Sequence, residues 1–153
     1  MDKNILVVSA KRLKNVSVIA AGEYLDKSGI LVAKMNEIML SRPDIASLIG
    51  KDNIAMMKDN HANHARFIAS ILKGRNDTVL IETVLWVFTS YRSHGFTTNY
   101  WAAQLNSWIE VMKDELSKEC FEEVYPYYEW MLVNIPVFVA LSNEKLDDNK
   151  SLY

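Results

Sequence analysis

Cysteine occurs once in this sequence, at Cys120. A lone thiol forms no internal disulfide, which excludes a disulfide-stapled secreted scaffold and points to the cytoplasm. Proline and glycine are also scarce, at three and five residues. With so few breakers and an abundance of Leu, Ile, Met, Ala, Glu and Lys, long helices are expected rather than a strand-rich fold. Charge of one sign is missing as well. Seventeen basic residues against nineteen acidic ones leave a net charge of −2, which excludes a nucleic-acid binder that works by neutralising phosphates. No apolar run is long enough to span a bilayer, since the best candidate, Val79 to Phe88, is interrupted by Glu82 and Thr83. The run from Ile5 to Val8 is too short for a signal-peptide core and no cleavage site follows it. There is no G-x-S-x-G nucleophile motif and no glycine-rich phosphate loop, so no enzyme is expected.

What is present fits one all-α domain of 153 residues, half of them hydrophobic. Lys3 to Lys14 reads as a short helix, and Val16 to Leu40 as a long one that Gly22 and Gly29 weaken and can bend. Ser41-Arg42-Pro43-Asp44 has the composition of a helix start with Ser41 as cap, ended by Gly50. Asp52 is placed to cap the next helix, which stops at Gly74, and Asn76 or Asp77 the one after, which ends at Arg92, His94 and Gly95. That helix, Thr78 to Ser93, is apolar almost all round and is expected at the centre of the fold or along a pocket. Thr97 or Thr98 starts a helix whose Trp101, Leu105, Trp108, Met112 and Leu116 share one face. A single last helix is expected over Ser117 to Leu141, with Pro126 and Pro136 kinking it. The domain is expected to occupy residues 1–142, and residues 143–153 form a polar tail.

Two features carry potential chemistry. His61 and His64 are three residues apart and share a helix face. No third and fourth ligand completes a zinc spacing, which leaves surface or interface polar residues, an ion or anion site built with Arg66 and a partner chain, or a transition-metal site. The second feature is the set of aromatic residues in the last three long segments. It exceeds what one small core ordinarily takes, so an internal apolar pocket or a homodimer interface built from residues 98–117 and 117–141 is expected.

Three segments carry a family resemblance: Asn60 to Phe67 (NHANHARF), Tyr91 to Trp101 (YRSHGFTTNYW) and Tyr125 to Pro136 (YPYYEWMLVNIP). Over nearly the whole chain the sequence resembles the haem-free globin-type sensor domains of Bacillus sporulation sensor histidine kinases. It is most similar to their stand-alone, plasmid-borne (anthrax) type. Sensor globins commonly carry a haem-ligating histidine four residues before a glycine, where this chain has Tyr91 before Gly95, with His94 next to the glycine. The resemblance therefore implies a globin-like helical fold that is haem-free, a homodimer, a fatty acid in an apolar tunnel and a chloride or other halide in a polar chamber. It also implies a role: a domain without a kinase part titrates the signal of a homologous sporulation sensor histidine kinase. For such a tunnel the candidate lining residues are Met57, Phe67, Ile68, Trp86, Tyr91, Trp101, Leu105, Trp108 and Phe138. A buried carboxylate or anion needs a donor, and His61, His64, Arg66, Arg92 and His94, with Tyr91, are the candidates. The competing readings are a haem-binding sensor globin that uses one of these histidines and a ligand-free dimeric adaptor.

Overall fold

The computed structural model describes residues 2–151, with side chains as far as Asp147. It is all-helical, with eight helices among the described residues: α1 (Asn4–Ala10), α2 (Val18–Leu40), α3 (Ile45–Ile49), α4 (Ile54–Lys73), α5 (Asp77–Ser93), α6 (Asn99–Glu115), α7 (Lys118–Val133) and α8 (Ile135–Ser151). None of these is long and apolar enough to cross a membrane.

The helix starts follow local chemistry, though not always from the expected residue. Ser17 caps α2, its hydroxyl accepting from the Ala20 amide at 3.1 Å, and the helix runs unbroken through Gly22 and Gly29. Ser41 closes α2 instead of opening α3: its hydroxyl donates to the Ile38 carbonyl, and Asp44 holds the N-cap position of α3. Asp52 does not cap α4. It adopts a left-handed conformation (φ 61°) in the turn, and Asn53 takes the cap position. Asn76 caps α5 as its sequence context suggests, accepting from Val79 at 3.0 Å. Neither Thr97 nor Thr98 caps α6 with its side chain; Thr97 donates instead to the Leu48 carbonyl.

The expected single last helix is two. Continuing through Pro136 would press its ring against the carbonyl of Leu132 and leave that carbonyl without a donor. The chain instead stops α7 at Val133, and α8 restarts with Pro136 in its first turn, where a missing N–H costs nothing. Asn134 at the junction donates to the Trp130 carbonyl. Pro126 does stay inside α7, on its solvent side. The carbonyl it deprives of a partner belongs to exposed Glu122. Beyond residue 142 the chain remains helical to Ser151; residues 152 and 153 of the polar tail lie outside the described part.

Helix α2 packs on α4, α6 and α7, while α5 packs on α8 and α1. The core between them is dominated by Trp108, Tyr24, Tyr100, Tyr127, Tyr128 and Phe138, all fully buried. The apolar side chains of residues 98–117 and 117–141 are thus absorbed by the chain's own core; among them only Val133 is largely exposed. Exposed apolar surface lies elsewhere, on Val18, Ile19, Leu25 and Ile30 of α2 and on Trp86 of α5.

Candidate functional site

Helices α4 and α5 are joined by a short turn, and the space between them is closed by α6 and α7. It forms a cavity of about 210 Å³. Helix α4 contributes Asn60, Asn63, His64 and Phe67, and α5 contributes Thr83, Val84, Trp86, Val87, Phe88 and Tyr91. Trp101, Gln104 and Leu105 come from α6, and Met131 from α7. One face of α5 therefore lines a pocket while the other meets α8, which is why its sequence is apolar nearly all round. Phe88 stacks on Trp101 with ring centroids 4.3 Å apart, and Tyr91 meets Trp101 edge-on. Trp86 is 63% exposed and stands at the mouth.

Behind the α4 wall lies a buried polar cluster. His61 is fully buried; its Nδ1 donates to Asn36 Oδ1 at 2.6 Å and its Nε2 lies 3.4 Å from the Tyr100 hydroxyl. Asn60 Oδ1 accepts from both Tyr100 and Gln104, at 2.9 and 2.7 Å. His64 forms part of the cavity wall, and its Nε2 lies 2.8 Å from the Tyr128 hydroxyl, which in turn lies 2.7 Å from that of Tyr24. Burial pushes His61 down to about 4. Burial, with a smaller contribution from neighbouring His61, pushes His64 down to about 3. Both imidazoles are therefore neutral near pH 7. Burial raises the phenols of Tyr24, Tyr100 and Tyr128 above their ordinary range, so the whole cluster is uncharged.

No family model, curated protein or solved structure matches the chain.

Of the residues expected to line a tunnel, Phe67, Trp86, Tyr91, Trp101 and Leu105 do line the cavity. Met57, Ile68, Trp108 and Phe138 do not; each is fully buried in the core. Trp108 lies directly behind the wall, with its ring centroid 4.6 Å from that of His64. The five anion candidates are dispersed. His64 is on the wall and His61 behind it. Arg66 is exposed and donates to Asn63, but it lines a separate groove between α2 and α4 and is not part of the cavity wall. Arg92 faces away, bonding the Val139 carbonyl and the Ser142 hydroxyl of α8. His94 is exposed and its Nδ1 bonds the Ser90 carbonyl. Among the described residues no three His, Cys, Asp or Glu side chains cluster to hold a metal ion. Asn60, Gln104 and Met131 are wall residues that the sequence did not single out, while Phe88 belongs to its aromatic set. Gln104 carried a usable signal, being a polar residue one turn from Trp101 on an otherwise apolar helix face.

Proposed function

We propose that this chain is a non-enzymatic sensor domain that takes an apolar chain-like ligand, a fatty acid in the first instance, into the cavity between α4 and α5. The observation that carries the reading is the cavity wall: aromatic and aliphatic side chains from four helices, with a few uncharged polar groups and no ionised residue. A cavity of 150 Å³ already admits benzene, so about 210 Å³ suits a short or medium acyl segment, and a longer chain extends past Trp86. An ionised carboxylate buried among neutral groups is very costly, which favours an acid that enters tail first. Its carboxylate then rests at the mouth near Asn63, within the field of Arg66.

In this reading the protein has the globin-like, haem-free architecture of the sensor domains it resembles. It titrates, in the cytoplasm, the ligand of a homologous sporulation sensor histidine kinase. A halide in the polar cluster would meet only neutral donors, which makes it the weaker part of the reading. The homodimer is better supported by α2 than by the helices first expected, because α2 carries the exposed apolar stripe Val18, Ile19, Leu25 and Ile30. The haem alternative has less support, since His61 and His64 are hydrogen-bonded inside the protein and His94 lies outside the cavity.

The deciding experiment is mass spectrometry of small molecules released from the denatured protein, followed by binding of saturated acids of graded length to the delipidated form. Recovery of an acyl lipid and length-dependent binding support the reading. Absence of both removes it and leaves the adaptor.

A further inference from the structure

Outside the cavity, α2 and α4 leave an open groove of about 740 Å³ between them. Two turns of each helix form its sides. Val18, Gly22 and Leu25 of α2 stand at positions i, i+4 and i+7, and Arg66, Ala69 and Lys73 of α4 stand at i, i+3 and i+7. The α2 side is apolar and open to water: Val18 is 91% exposed and Leu25 57%. A Cβ on Gly22 would meet nothing within 4 Å, so no packing inside the chain calls for glycine there, and the backbone is open to close approach. The α4 side is cationic. Arg66 and Lys73 are the only charged residues that line the groove, and neither is in an ion pair among the described residues. Arg66 donates to the neutral Asn63 side chain. At one end of the groove Glu123 is taken up by the amide and hydroxyl of Ser17, and Asp77 is paired with Arg75.

We propose that this groove docks an amphipathic helix of a partner protein, one whose apolar stripe is flanked by acidic residues. The stripe lies against Val18 and Leu25. Carboxylates two turns apart on the partner meet Arg66 and Lys73, whose places on α4 are separated by a rise of about 10 Å. That separation favours a helix over a single anionic head group, which would meet one cation and leave the other. It also disfavours α2 of a second copy, because between Val18 and Ile30 the only exposed acid of α2 is Asp26. Exposed ion pairs add little to the apolar contact, but like charges repel a wrong partner, so the two cations set partner choice more than affinity. The groove and the cavity lie on different sides of α4 and share no lining residue, so the inference stands apart from what the cavity takes.

The test uses two synthetic peptides of about 18 residues, long enough to hold a helix, that share a leucine stripe at i, i+3, i+4 and i+7. One carries glutamates along the flank of that stripe and the other lysines. Binding is read by fluorescence anisotropy at low ionic strength, and the contact is mapped by backbone amide resonances. The glutamate peptide is expected to bind about tenfold tighter than the lysine peptide, with the difference shrinking as salt is added. It is expected to move the resonances of residues 18–25 and 66–73 and to leave those of α5 in place. Lys73→Glu, at an exposed position outside the cavity, is expected to bring the two peptides close to parity. Gly22→Gln puts a helix-favouring side chain into open space, so it is expected to fold and to weaken the glutamate peptide. The resonance mapping needs neither variant. If the two peptides bind alike, or the glutamate peptide moves nothing along α2 and α4, the inference is overturned. It is overturned too if Gly22→Gln dissociates a homodimer in sedimentation velocity, which gives the groove to a second copy. Binding of phosphatidylglycerol vesicles through Lys73, with neither peptide bound, gives it to a membrane and overturns the inference as well.

Discussion

Acidification from pH 7.5 to pH 5 is expected to destabilise this protein through His61, by a mechanism that its burial makes calculable. His61 is fully buried with its Nδ1 proton committed to Asn36, and burial lowers its pKa to about 4. The unfolded chain returns it to about 6.5. Between those values the unfolded state binds more protons than the folded state, so stability is complete above about pH 6.5 and falls as pH drops toward 4. At pH 5 the difference amounts to about 2 kcal/mol for this one group. His64, lowered to about 3, acts in the same direction, though the neighbouring pair titrates as a unit and the two effects do not simply add. Glu23 and Asp44 have lowered pKa values, the first chiefly through the Ser117 amide and the second through Arg42. Their stabilisation is present above the ordinary carboxylate range and is lost only below it, so the interval from pH 6.5 to 5 belongs to the histidines. Urea unfolding followed by far-UV circular dichroism should show the midpoint falling by on the order of 1 M between pH 7.5 and 5. His61→Gln should reduce that fall. An unchanged midpoint, or a native His61 resonance titrating near pH 6.5, would refute the reasoning.

Other outcomes follow from the same fold. Trp108→Ala removes a fully buried ring and should cost about 3–5 kcal/mol in urea unfolding, whereas exposed Trp86→Ala should cost far less and should instead weaken chain-length discrimination. Saturating ligand at a hundredfold excess over Kd should stabilise the delipidated protein by about 2.7 kcal/mol, read as a rise in Tm, with each lost methylene reducing binding by roughly 0.8 kcal/mol. Arg66→Ala should weaken a fatty acid more than its methyl ester. Arg92→Ala should leave that ratio unchanged, because Arg92 serves α8. Leu25→Asp should shift any dimer toward monomer in sedimentation velocity, and a dimer indifferent to it places the interface away from α2.

Helix content and most boundaries were legible because they depend on neighbours in sequence. Asn76 before a β-branched run and Gly74 after Lys73 act within one turn. Caps failed where a distant partner competes. Thr97 spends its hydroxyl on Leu48, while Asp52 is drawn into a left-handed turn that leaves Asn53 at the cap position. Proline positions showed that the last helix would be disturbed, but not that Pro136 would fall in a first turn and Pro126 on a wet face. The cavity was half legible. Aromatic excess announced a pocket or an interface, yet which ring faces open space is a tertiary property. Trp101 and Trp108, seven residues apart on one face of α6, end up on the wall and behind it. Charged residues were the least legible, because a sequence does not say whether Arg66 or Arg92 points at a neighbouring helix.

Asn53 donates to the carbonyls of Ile49 and His94, at 2.7 and 2.8 Å, and so laces the start of α4 to the end of α5. Gly50 and Gly95 close that crossing, where a Cβ on Gly50 would lie 3.0 Å from the Gly95 oxygen. At the opposite end the two helices are joined covalently through residues 74–76. The chamber between them is a window frame fastened at both corners, and its side rails are not free to swing apart. Under the proposed sensor reading, passage in and out depends on the pane: Trp86, whose exposed ring is able to turn on the pace of a side chain rather than of a helix. An occupant that enters this way is expected to exchange without the frame changing its outline.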